Sequence, residues 1–88
     1  MPELSSLDWI VLKAAELLED KVKDQPLTYR DVEIAFEMFA SPRLKTLQEK
    51  SELPTSWEQA KDFVMMKLRE RAKQLNSETW KKPELSLR

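Results

Sequence analysis

The 88-residue chain contains no glycine, and that absence constrains its fold more than any residue present. Two-residue β-hairpins rely on Asn-Gly, Asp-Gly or a Gly-X turn, because their central residues need positive φ. A compact β protein built without glycine is therefore disfavoured. The same absence removes the phosphate-binding loop, the dinucleotide-binding fingerprint and the EF-hand calcium loop, each of which needs a backbone that glycine adopts without strain. There is also no cysteine and no histidine. Disulfides, thiolate nucleophiles and zinc–sulfur sites are excluded, and so is the side chain most used as a base or metal ligand near neutral pH. A helical, non-catalytic protein is what remains.

Helix-start signals then recur along the chain. Ser5 with Asp8 three residues on forms a capping box, and Leu4 with Trp9 a hydrophobic staple. The apolar positions Leu7, Val11, Ala14, Leu18 and Val22, widened by Ile10 and Leu17, step at helical spacing, which predicts a first helix over about residues 6–23. Pro26 ends it. Thr28 with Asp31 repeats the box, and Leu27 with Val32 the staple, which predicts a second helix from Tyr29 to about Phe39 with Val32, Ala35, Phe36 and Phe39 facing inward. Ser41 as cap with Pro42 at the first helical position predicts a short third helix to about Lys50, carrying Leu44 and Leu47 inward. The opposite reading is one kinked helix running through Pro42. Thr55 or Ser56 opens the fourth helix, whose stripe is Trp57, Ala60, Val64, Leu68, Ala72 and Leu75, with Asn76 as a left-handed terminator. The expected fold is an all-α small bundle of four helices, helices 1 and 4 long, helices 2 and 3 short. Residues 1–76 form a single domain and residues 77–88 a C-terminal tail that docks, if it docks, through Trp80.

Two four-residue apolar runs interrupt the amphipathic pattern, Trp9 to Leu12 and Phe63 to Met66. Four consecutive helical residues fan over about 300°, so neither run fits on one face. One reading buries helices 1 and 4 on several sides as the central pair. The sharper one leaves part of each run for a second chain. On that reading the contact surface is Trp9, Ile10, Met65 and Met66, rimmed by Lys67, Arg69, Arg71 and Lys73 of helix 4. Such a surface draws its energy from buried anchors and its orientation from rim charges.

Charge is uneven. Residues 1–40 hold nine acids and four bases, and residues 41–88 seven acids and eleven bases, within a net charge of −1. Acids early and bases late in a helix complement its dipole, which accounts for much of this pattern. The alternative is an anionic partner. Helices 2 and 3 have the layout of a helix–turn–helix pair, in which Arg43, Lys45, Thr46 and Gln48 would reach bases or phosphates and Arg30 the backbone. The acidic whole chain opposes that reading.

Catalysis is not expected. The acids at helical spacing, Glu16, Asp20 and Asp24, and Glu33 with Glu37, lie on predicted solvent faces with Lys13, Lys21 and Lys23 nearby, as ordinary exposed charges do. No histidine is present to activate a serine. The expected partner is another protein or a second copy as a homodimer, with nucleic acid as the alternative and with no cofactor, metal or membrane. The absence of a long apolar run and the acidic first residues point to the cytoplasm.

Overall fold

The computed structural model describes residues 6–85. It is all-α and compact. In order come α1 (Ser6–Lys21), α2 (Tyr29–Ala35), a π-helical turn (Phe36–Ala40), α3 (Ser41–Glu49) and α4 (Trp57–Trp80). Among the described residues there is no strand. The Ser5 cap and the Leu4 half of the first staple lie outside them.

The expectation of separate helices 2 and 3 is corrected. Ala40 (φ −71°, ψ −45°) and Ser41 (φ −58°, ψ −49°) are both helical, and Ser41 caps nothing. Residues 29–49 are one unbroken rod, so the described residues form three rods rather than four helices. Pro42 supplies the reason. It has no amide hydrogen for the Met38 carbonyl, and in a regular α-helix its ring would press on that carbonyl. The chain widens one turn instead, and the Ser41 amide donates to the Phe36 carbonyl five residues back. The same widening serves packing. Val32, Phe36, Ala40 and Leu44 are all buried, at a constant spacing of four. Steps of four drift about 40° each in a regular helix, and one inserted residue cancels about 100° of that drift. The stripe therefore stays on one face.

The other starts follow the sequence. Thr28 Oγ1 accepts from the Asp31 amide at 3.2 Å while the Thr28 amide donates to Asp31 Oδ2 at 2.8 Å, a complete capping box. Leu27 and Val32 are both fully buried. Ser56, not Thr55, caps α4, its hydroxyl accepting from the Gln59 amide at 3.2 Å.

The stops differ more. α1 ends at Lys21 and closes with tighter turns, Lys23 to Asp20 and Asp24 to Lys21. α3 ends in a Schellman arrangement, the Glu52 amide donating to the Leu47 carbonyl at 2.8 Å and the Ser51 amide to Gln48 at 3.0 Å. Ser51 stands left-handed (φ 59°) where other proteins place glycine. Asn76 is no terminator: α4 runs through it to Trp80, and Lys81 takes the left-handed position (φ 57°). Residues 77–80 thus continue α4, and Leu85 beyond it is buried.

The rods form a body with extents of 40 × 32 × 18 Å. α1 packs along α4 and against the π turn, and the rod also touches α4. Alanines 14, 40, 60 and 72 are fully buried; small side chains at these points let helix backbones approach closely. Around them lie Ile10, Leu18, Leu27, Leu44, Val64 and Leu68. No described helix is long and apolar enough to cross a membrane.

Candidate functional site

The most distinctive surface feature joins α1 to the rod. Trp9 lies two residues after buried Leu7, about 200° round α1, and so points away from the core. It is 41% exposed. Phe39 leaves the π turn half-buried, and its ring centroid is 6.4 Å from that of Trp9 at a tilt of 48°, within the favoured range for aromatic pairs. Arg43, one turn further along the rod, lies over both rings, its Cζ 5.0 Å from Trp9 and 4.6 Å from Phe39. Lys13, one turn along α1, places its Nζ 5.8 Å from the Trp9 ring and 3.6 Å from Glu16 Oε2. Cations within about 6 Å of an aromatic face are held by the ring quadrupole. Two stacked cations and two rings from two rods thus form one ordered, partly exposed patch. Leu12 (54% exposed) and Leu17 lie beside it on α1.

The surface expected from the apolar runs is divided. Ile10, 2% exposed, belongs to the core and offers nothing to a partner; this corrects its place in the predicted surface. Met65 is half-buried against the core. Met66 is 48% exposed and lines a shallow groove of about 410 Å³ with Leu7, Thr55, Gln59, Asp62 and Phe63. Trp9 faces the opposite side of α1 from Leu7, so Trp9 and Met66 belong to two surfaces rather than one. The predicted basic rim is divided too. Lys67 and Arg71 lie on one side of α4 and Arg69 and Lys73 on the other, as two-residue steps require. Lys67 lies 5.6 Å from the Phe63 ring. Arg71 is spent inside the fold, donating to Glu19 Oε2 of α1 at 3.0 Å and to Gln74 at 3.0 Å. Arg69 and Lys73 are exposed.

The helix–turn–helix geometry is also corrected, because residues 39–41 contain no turn and no second helix stands free to enter a groove. Arg43 is stacked on the rings. Arg30 pairs with Glu33 at 3.4 Å. Thr46 donates its hydroxyl to the Pro42 carbonyl at 3.0 Å, and Lys45 and Gln48 are exposed. The acids Glu16, Asp20, Asp24, Glu33 and Glu37 all stand on the surface. Among the described residues no group of three or more acidic, His or Cys side chains is placed to hold a metal ion.

The Asp31 carboxylate, at the start of the rod, is perturbed. Burial acts to raise the Asp31 pKa, but the Lys21 ammonium at 2.7 Å and the amide and hydroxyl of Thr28 outweigh it, so the group lies below its ordinary value. This ion pair ties the last turn of α1 to the first of the rod. Leu12 and Leu17 are exposed, Leu17 against its expected inward place, and Phe39 is half-buried; none of the three is among the predicted site residues. The spacing of four in Trp9–Lys13 and Phe39–Arg43 was a signal for the stacked pairs. Comparison of the chain with protein-family models, curated proteins and solved structures finds no match.

Proposed function

We propose that this chain is a non-enzymatic protein-interaction module, acting as a homodimer or as a subunit of a larger assembly. The observation that carries the reading is the Trp9–Phe39–Arg43 patch, a partly exposed aromatic pair with a guanidinium ordered on it. Trp and Arg dominate the energetics of protein contacts. A ring already stacked and a guanidinium already positioned lose little side-chain freedom on binding. Met66 and its groove supply a second, smaller apolar surface on the other side of α1.

The test has two arms. Sedimentation velocity at micromolar concentration gives the mass of the protein alone, and a pull-down from extracts of the source cells asks whether other chains are retained. Self-association or retention is expected, and Trp9→Ala should weaken it by at least about tenfold. A strict monomer that retains nothing overturns the proposal. Duplex DNA titrated at about 50 mM salt, where phosphate contacts are strongest, should not bind. Binding that Arg43→Ala weakens more than Lys13→Ala would put a DNA-binding regulator in its place.

A further inference from the structure

The outer face of α1 carries a pattern that reads the same from both ends in chemical terms. Its six residues are Trp9, Leu12, Lys13, Glu16, Leu17 and Asp20, spaced alternately by three and one or by four, and together they span about 140° of the helix. All are exposed except Lys13, which is half-exposed. Each has a counterpart placed symmetrically about the midpoint between Ala14 and Ala15. Leu12 and Leu17 lie on opposite edges of the stripe, each about 70° from its centre, so across a two-fold axis Leu12 flanks Leu12 of the second copy and Leu17 flanks Leu17, apolar beside apolar on both edges. Lys13 mirrors Glu16, so cation meets anion. Trp9, with Arg43 stacked over its ring, mirrors Asp20.

We infer that the occupant of this face is a second copy of the chain, its α1 laid antiparallel across the first by a two-fold axis passing between Lys13 and Glu16. A two-fold interface uses the same patch twice, so the patch must be complementary to itself. Antiparallel α1 helices meet that condition along the centre of the seam, where Lys13 faces Glu16 and Trp9 faces Asp20, with the leucines on the two edges. Parallel ones would set Lys13 against Lys13 and Glu16 against Glu16. The intrachain pairs Lys13–Glu16 at 3.6 Å and Asp20–Lys23 at 4.0 Å are between exposed side chains. Such pairs contribute little to stability and are free to exchange for interchain partners. The axis falls opposite Ala14 and Ala15, both buried on the inner side of α1, so pairing needs no change to the core. The stripe is only about 17 Å long, which puts the interface at the small end of specific contacts and the association at about micromolar strength. The inference rests on reading the Trp9 face as a contact surface and adds its occupant and orientation.

Charge reversal tests both. In Lys13→Glu, each symmetric pair becomes Glu against Glu; in Glu16→Lys, Lys against Lys. Each variant alone should dimerise at least about tenfold more weakly than the parent in sedimentation equilibrium, with circular dichroism confirming that the helices persist. An equimolar mixture of the two should regain dimer, because a mixed pair restores an opposite charge at both contacts. A purely intrachain role for Lys13 and Glu16 gives no rescue on mixing. A mixture that behaves as the average of its components overturns the inference, as does a parent chain that stays monomeric at about 300 μM. The broader reading then stands or falls separately, on whether another protein is retained and released by Trp9→Ala.

Discussion

Asn76 offers the sharpest test of how the fold is held. Its side chain is fully buried and makes three hydrogen bonds. Its Oδ1 accepts from the Leu27 amide at 2.7 Å, and its Nδ2 donates to the carbonyls of Leu27 at 3.0 Å and Glu84 at 3.0 Å. Asn76→Leu keeps the branched, four-heavy-atom outline, with bulkier methyl groups in place of the amide atoms, and removes all three. Glu84 is exposed, so water can replace the bond to its carbonyl. Leu27 is fully buried, and its amide and carbonyl have no such recourse. A stranded buried donor costs about 1–3 kcal/mol and the carbonyl adds to it, for roughly 3 kcal/mol in all. A domain this size holds about 4–13 kcal/mol in total. The midpoint of thermal unfolding should fall by about 12–24 °C. Urea unfolding followed by circular dichroism and tryptophan fluorescence measures the change, with Ser77→Ala, on the exposed side of α4, as the neutral control. Asn76→Asp separates the bonds: the introduced carboxylate still accepts from the Leu27 amide but opposes two carbonyls. Its pKa should be raised, so this variant should recover relative to the parent as pH falls from 7 toward 4. An Asn76→Leu protein within about 0.5 kcal/mol of the parent would refute the reasoning, because it would mean Leu27 was never dependent on this side chain.

Asp31 titrates below its ordinary value in the folded state, so its contribution is full above the unfolded pKa of 3.8 and disappears as pH falls through the lower folded value. The stability difference between the parent and Asp31→Asn, from urea midpoints, should therefore hold from neutral pH to about 5 and vanish in stronger acid; a difference that grows on acidification contradicts the Lys21 pairing. Ser51 pays for a left-handed backbone that costs a side-chain-bearing residue about 1–2 kcal/mol, partly offset by the extra freedom glycine has when unfolded. Ser51→Gly should stabilise by about 0.5–1 kcal/mol, read from the urea midpoint, and an unchanged or lower midpoint argues against strain there.

The starts of the helices were legible because they are local. A cap needs only Thr28 and Asp31, or Ser56 and Gln59, three residues apart. The stops were not, because in a chain without glycine the usual C-terminal marker is missing. Asn76 looked like the best substitute, yet its amide is taken by Leu27, 49 positions away, and the left-handed role passes to Lys81. The Ser41-Pro42 pair is ambiguous for a related reason, open to a helix start or to one helix running through Pro42. It has the form of a helix start, and only the run of buried positions 32, 36, 40 and 44 reveals a turn wide enough to carry Pro42 inside a helix. Of the candidate site, Trp9 and Arg43 were each singled out in the sequence, but for different functions. That they lie on one another depends on how two rods cross, and no spacing along the chain encodes that crossing.

That crossing is held where α1 packs against the π turn and, at the far end of the molecule, by a second set of contacts. The end of α4 holds both sides of the joint between α1 and the rod: Trp80 Nε1 donates to the Val22 carbonyl at 2.7 Å, just past α1, and Asn76 grips Leu27, just before the rod. Lys21–Asp31 spans the same joint at 2.7 Å. From there to Trp9 along α1 is about 20 Å, and to Phe39 along the rod about 17 Å. Opening the joint by about 10° would separate the two tips by roughly 3–4 Å by lever geometry alone. Arg43 lies 5.0 Å from the Trp9 ring across the joint, and ring–cation attraction fades beyond about 6 Å, so an opening of that size would take Arg43 off Trp9 while leaving it 4.6 Å from Phe39, which rides on the same rod. The polar clasp at the end of α4 and the partly exposed aromatic patch near the start of α1 therefore lie at two ends of one lever, and the stacking of Arg43 on Trp9 depends on the clasp as well as on the packing of α1 against the π turn beside it.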